Sequence, residues 1–143
     1  MITVRQVMNE NVFAVRSETT VEEAIDFLTR KHIGGAPVVN DQGDLVGMIS
    51  ELALIDVVFD ESVKFDPISK FMTTEVQVVR PDESLMRAAQ LFALYAFRRL
   101  PVVESGKLIG IITRRDLMNY SLHTNQLLSD PLVSLIPSLA PMS

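Results

Sequence analysis

The 143-residue sequence contains no cysteine. A disulfide framework and thiolate metal sites are therefore excluded, and the composition fits a reducing cytosol, so a cytoplasmic protein is expected. Histidine is nearly missing as well. His32 and His123 stand far apart, neither has a cluster of Asp, Glu or His beside it, and no metal site is expected. Cations are in deficit, 13 Lys and Arg against 18 Asp and Glu, for a net charge of −5. That balance argues against nucleic acid and anionic membranes as partners. Long apolar runs are lacking too. No stretch approaches a membrane span, and Arg5 and Asn9-Glu10 break any apolar run near the start, so neither a spanning helix nor a signal peptide is expected. Catalytic signatures are also absent: there is no Gly-x-Ser-x-Gly, no phosphate loop of the Gly-x4-Gly-Lys kind and no dinucleotide fingerprint. An enzyme is not expected.

What the chain does have is an internal repeat. Met8 to Pro37 reads against Met72 to Pro101 at an offset of 64, with identities at Met8/Met72, Val15/Val79, Arg16/Arg80, Ala24/Ala88 and Pro37-Val-Val39/Pro101-Val-Val103. A one-residue gap at Gln42 carries the match on through Gly43/Gly106, Gly47/Gly110, Ile49/Ile112 and Leu54/Leu117. A repeat fixes the architecture before any single residue is interpreted. Each copy is too small to bury its apolar faces well alone. With 48% hydrophobic residues, the two copies are expected to share one core.

Within repeat 1, Val4 to Met8 reads as a short helical lead-in and Val12 to Arg16 as a strand. Ser17 to Thr20 is a loop with N-cap chemistry. Val21, Ala24, Ile25 and Leu28 recur at helical spacing, which predicts a helix from Val21 to Lys31, broken by Gly34-Gly35. Ala36 to Val39 and Leu45 to Ile49 read as strands around an Asn40–Gly43 turn, and Ser50 caps a helix to about Phe59. Repeat 2 follows the same order: lead-in from Ile68, strand Val76–Val79, helix Leu85–Tyr95, hairpin Leu100–Val103 with Leu108–Ile112, and a last helix from Asp116 to about His123. The expected fold is α/β (α+β), with two pseudo-two-fold related β-α-β-β-α repeats packed sheet to sheet. The expected division is repeat 1 at 1–60, a linker at 61–67, repeat 2 at 68–123 and an irregular tail at 124–143.

On these residues the chain resembles a tandem pair of CBS domains, the regulatory module named after cystathionine β-synthase. The resemblance is carried by Ala36-Pro-Val-Val39 with Gly47-Met-Ile-Ser50, by Leu100-Pro-Val-Val103 with Gly110-Ile-Ile-Thr113, and by the lead-in pairs Val7-Met8 and Phe71-Met72. It covers roughly residues 3 to 123. It implies two clefts between the copies where adenosine ligands sit, and dimerisation into a flat disc.

The polar differences between the copies bear on those clefts. The resemblance implies that Thr113-Arg-Arg-Asp116 holds a ribose, with the carboxylate accepting from its hydroxyls. Thr-x-x-Asp reads equally as a capping box. Repeat 1 has Ser50-Glu-Leu-Ala53 there, so a helix start does not need the acid. Gly34-Gly35 would admit an adenine edge by resemblance, or cap a helix. Arg98-Arg99, their counterparts, would be phosphate ligands by resemblance, or a solvated or dimer-facing pair. The module takes the base wall of a cleft from one copy and the ribose and phosphate contacts from the other. One cleft then joins Thr19, Ala24, Ile33, Gly34 and Gly35 to Arg98, Arg99, Thr113 and Asp116, while the opposite one lacks wall, cations and acid. One competent site and one degenerate site are expected. The expected function is sensing of an adenine nucleotide (AMP, ADP or ATP) as regulatory ligand, in a homodimer, with an unidentified regulated protein. S-adenosylmethionine binding and a ligand-free dimerisation or interaction module are the alternatives.

Overall fold

The computed structural model describes residues 1–123, and the expected irregular tail at 124–143 lies outside the described residues. The fold is mixed α/β, with two sheets and four α-helices among the described residues. No helix among these residues is long and apolar enough to cross a membrane.

Repeat 1 supplies β1 (Val15–Arg16), α1 (Val21–Lys31), β2 (Gly35–Val39), β3 (Leu45–Ser50) and α2 (Glu51–Ile55). Repeat 2 supplies α3 (Leu85–Leu94), β4 (Arg99–Glu104), β5 (Lys107–Thr113) and α4 (Arg114–His123). Helix α1 takes the bounds that its periodicity predicts. Thr20 Oγ1 accepts from the Glu23 amide, 3.1 Å away, at its start. Its end differs from expectation. His32, not glycine, takes the left-handed cap conformation at φ 55°, and the Ile33 amide closes back on the Leu28 carbonyl at 3.1 Å. Neither Gly34 nor Gly35 has a positive φ.

In the first sheet β1 runs parallel to β2, and β2 pairs antiparallel with β3. The second sheet is the β4–β5 hairpin, turned by Ser105 and Gly106 with φ of 51° and 81°. Two adjacent positive φ values match the twist of a tight hairpin. The expected strand at Val76–Val79 shrinks to one parallel bridge, Val79 to Val102. The strand expected at Val12–Arg16 is likewise cut to Val15–Arg16, and Pro81 accounts for the one further pair that repeat 2 lacks, Arg80 with Val103. The counterpart of Pro81, Ser17, donates its amide to the Val39 carbonyl and so extends β1, whereas proline has no N–H to donate. Helix α2 also stops at Ile55, short of Phe59. Only Leu54 of its residues is buried, and one anchor gives a short helix little packing to lean on.

The chain divides into two units. One joins Phe13–Val76 to Gly106–Leu108; the other joins Met1–Val12, Gln77–Ser105 and the chain from Ile109. Each unit thus holds the body of one repeat and the lead-in of the other. Val4 and Ile68, counterparts at the same offset, are both 0% exposed, Val4 in the core around α3 and β4, Ile68 in the core around α1 and β2. Burial of this kind contributes roughly 1.5–3 kcal/mol per side chain. The lead-ins dock through paired backbone bonds as well: Asn9 with Ile111 at 2.8 and 3.0 Å, and Thr73 with Met48 at 2.9 Å in both directions. Beside each bridge a methionine covers a glycine. A Cβ on Gly110 would lie 2.6 Å from Met8 Sδ, and one on Gly47 would lie 2.7 Å from Met72 Sδ and 2.8 Å from the Thr73 carbonyl oxygen. The repeated Met and Gly identities are therefore two halves of one contact, made twice.

Candidate functional site

Helix α3 brings small residues to the wall of a pocket. Ala89 stands where repeat 1 has Ile25, and Ala93 where it has Thr29. Phe92 and Leu117 complete an apolar lining, at 9% and 2% exposure. Arg98 and Arg99 come from the entry to β4, Thr113 from the end of β5, and Arg114, Arg115 and Met118 from α4. All belong to a single unit, and the cavity is about 720 Å³. That falls in the range of small-molecule sites, roughly 300–1,000 Å³.

Thr113 and Asp116 are locked together. The Thr113 amide donates to Asp116 Oδ2 at 2.8 Å, and the Asp116 amide donates to Thr113 Oγ1 at 3.2 Å. This is the reciprocal capping box. It leaves the Thr113 hydroxyl proton available, and Asp116 Oδ1 accepts no hydrogen bond among the described residues. The box and a ligand role are thus compatible: one carboxylate oxygen holds the helix start while the other can accept from a diol. In repeat 1, Ser50 Oγ accepts from the Ala53 amide at 3.2 Å, and α2 starts without any acid at that place.

The structure gathers Arg98, Arg99 and Thr113 around the pocket, with Asp116 bonded to Thr113. The other expected residues lie in the unit built on repeat 1. Ala24 is 0% exposed within its core, and half-buried Ile33 packs against that core. Gly35 opens β2 opposite Ser50. The Gly34 carbonyl accepts from the Glu51 amide at 3.0 Å, and the Thr19 carbonyl from the Ile68 amide at 2.8 Å. No group of three or more potential metal ligands occurs among the described residues.

Sequence reasoning missed Arg114 and Arg115. It read the outer residues of Thr113-Arg-Arg-Asp116 and passed over the inner two. The repeat carries the signal: their counterparts are Glu51 and Leu52, so the exchange removes an acid and adds two cations. Ala89, Ala93 and Phe92 were missed as well, because small and aromatic residues at helical spacing look like ordinary core.

A family model described as CBS domain matches residues 4–60 and again 68–123. The chain is 38% identical over 115 residues to uncharacterized protein MJ1225 of Methanocaldococcus jannaschii, a match covering 80% of this chain and 41% of that protein. It is 34% identical to CBS domain-containing protein YhcV of Bacillus subtilis, covering 82% of this chain and 84% of the relative. The chain spans less than half the length of several curated relatives. Among solved structures, CBSX2 of Arabidopsis thaliana in complex with AMP is similar with a TM-score of 0.79 and 34% identity, covering 88% of this chain and 100% of that one.

Proposed function

The chain belongs to the CBS-domain family, and from that membership we propose that it is a regulatory module that binds an adenine nucleotide. The observation that carries this reading is the gathering of Arg98, Arg99 and Thr113 at one pocket with an apolar wall of Ala89, Phe92 and Leu117. Guanidinium forks suit phosphate oxygens. Asp116, whose Oδ1 accepts no hydrogen bond among the described residues, suits the vicinal hydroxyls of a ribose. The AMP bound by the 34% identical CBSX2 supports the same class of ligand here. A sulfonium cation such as S-adenosylmethionine would meet like charge among these arginines. Repeat 1 offers glycines and Ala53 at the matching positions, so one nucleotide per chain is proposed. The regulatory step is a population shift: the bound nucleotide stabilises one arrangement of the chain, and a partner responds to it.

Titration calorimetry tests the reading with AMP, ADP, ATP, adenosine and S-adenosylmethionine. The expected result is nucleotide binding at one site per chain. The Arg98→Ala, Arg99→Ala double variant should lose AMP affinity by about a hundredfold or more, from two charge-assisted contacts, and change little toward adenosine. Tighter binding of S-adenosylmethionine than of any nucleotide, or equal loss toward AMP and adenosine, would overturn the phosphate role.

A further inference from the structure

We infer that Arg114 and Arg115 make this pocket selective for a nucleoside di- or triphosphate over the monophosphate, an inference that rests on the nucleotide reading above. Arg114 and Arg115 line the same cavity as Arg98 and Arg99. They also sit where a helix least favours them. Thr113 caps α4, so both arginines fall in its first turn, at the positive end of the helix dipole. Both helices place an acid in the first turn, Glu51 in α2 and Asp116 in α4, but α4 alone adds two cations beside it. Cations placed against the dipole in one copy and absent from the other mark positions held for something besides folding.

Seven cations of the protein form ion pairs on its surface, and Lys31 lies over the Phe13 ring. Arg5, Arg16, Arg30 and Arg80 each stand against a carboxylate, as do Lys64, Lys70 and Lys107. Among the described residues no ion pair involves Arg98, Arg114 or Arg115, and Arg87, also outside these pairs, does not line the cavity. Charge then points to more than one phosphate. A monophosphate ester brings about two negative charges, fewer than the guanidinium groups around the cavity. Each further phosphate adds charge and forked acceptors that only additional guanidinium groups can meet.

The test compares wild type, Arg114→Ala with Arg115→Ala, and Arg114→Lys with Arg115→Lys. Each is titrated with ATP, ADP, AMP, adenosine and inorganic tripolyphosphate, after thermal melting has shown that it folds. Wild type should bind ATP at least about tenfold more tightly than AMP. The double alanine variant should lose that preference, with ATP weakened about tenfold or more and AMP by less than about threefold. The double lysine variant should fall between, since it keeps charge without the fork. Equal losses toward ATP and AMP, or a wild type that prefers AMP, would overturn the inference and leave the nucleotide reading standing. Tripolyphosphate binding that depends on these arginines, with no nucleotide bound, would uphold the anion site and sink the nucleotide reading. No binding of either overturns both.

Discussion

Ser50 and Thr113 start the closing helices of the two repeats in the same way, each hydroxyl accepting from the amide three residues on. The residues that follow part company: Glu-Leu-Ala after Ser50, Arg-Arg-Asp after Thr113. The preceding turn divides likewise, Gly34-Gly35 against Arg98-Arg99. Beneath these differences the frames coincide. Val4 and Ile68 fill matching core positions, and Met8 and Met72 cover matching glycines. The comparison separates two kinds of requirement. What both copies keep serves packing, and what one copy alone has is free to serve a ligand.

Breaking the second kind should cost binding and spare the fold. Asp116→Ala is expected to weaken nucleotide binding tenfold to hundredfold or more, on the basis of about 1.5–3 kcal/mol per charged hydrogen bond lost. The helix should survive, because α2 forms on Ser50 with Ala53 in the acid's place. Calorimetry and a thermal melt of the same sample decide it. Unchanged affinity would show that Asp116 serves only the capping box.

Breaking the first kind should do the reverse, and in both units. Gly47→Ala and Gly110→Ala each force a Cβ to within 2.7 and 2.6 Å of a methionine sulfur. Overpacking of this sort costs about 1–3 kcal/mol. Gly47→Ala should be the worse of the two, because the Thr73 carbonyl oxygen at 2.8 Å is backbone and yields less than the end of a side chain. Denaturant unfolding of both variants measures this. A stability loss in only one would mean that the frame is not shared.

Much of the frame is legible in the sequence. Apolar spacing and Thr20 give α1 its bounds, and turn residues locate both hairpins. Several things escape that reading, each for a physical reason. Which core a lead-in joins is a matter of long-range packing, and sequence order assigns Val4 and Ile68 to the wrong neighbours. The strands expected at Val12–Arg16 and Val76–Val79 pair only at their ends, and in the second the missing N–H of Pro81 removes the pair that Ser17 closes in the first. His32 caps α1 in a conformation usually given to glycine. At the site, Arg98, Arg99, Thr113 and Asp116 are legible because the copies differ there. Arg114 and Arg115 differ too, but arginines at a helix start read as a solvated face, and only the fold brings them to a cavity.

The smallest expected effect concerns acid, and it again falls unequally on the two repeats. Glu18, Asp44 and Asp60 in the unit built on repeat 1 have carboxyls held below their ordinary range, against Asp82 in the other. For Asp44 the chief cause is the hydrogen bond from Lys107, 2.8 Å away, followed by that from Asn40. A carboxyl whose folded value is depressed stabilises the fold above its unfolded value, and that contribution fades as pH falls through the folded value. The window therefore lies below about pH 4. The pair is exposed, so salt screens it and the contribution is small. Lys107→Met removes the chief cause. The variant's melting temperature should fall less steeply than wild type's between about pH 4 and pH 2.5, and the two curves should converge at the acid end. Parallel curves across that range would show that Asp44 owes nothing to Lys107, and would leave Asn40 as its remaining side-chain donor.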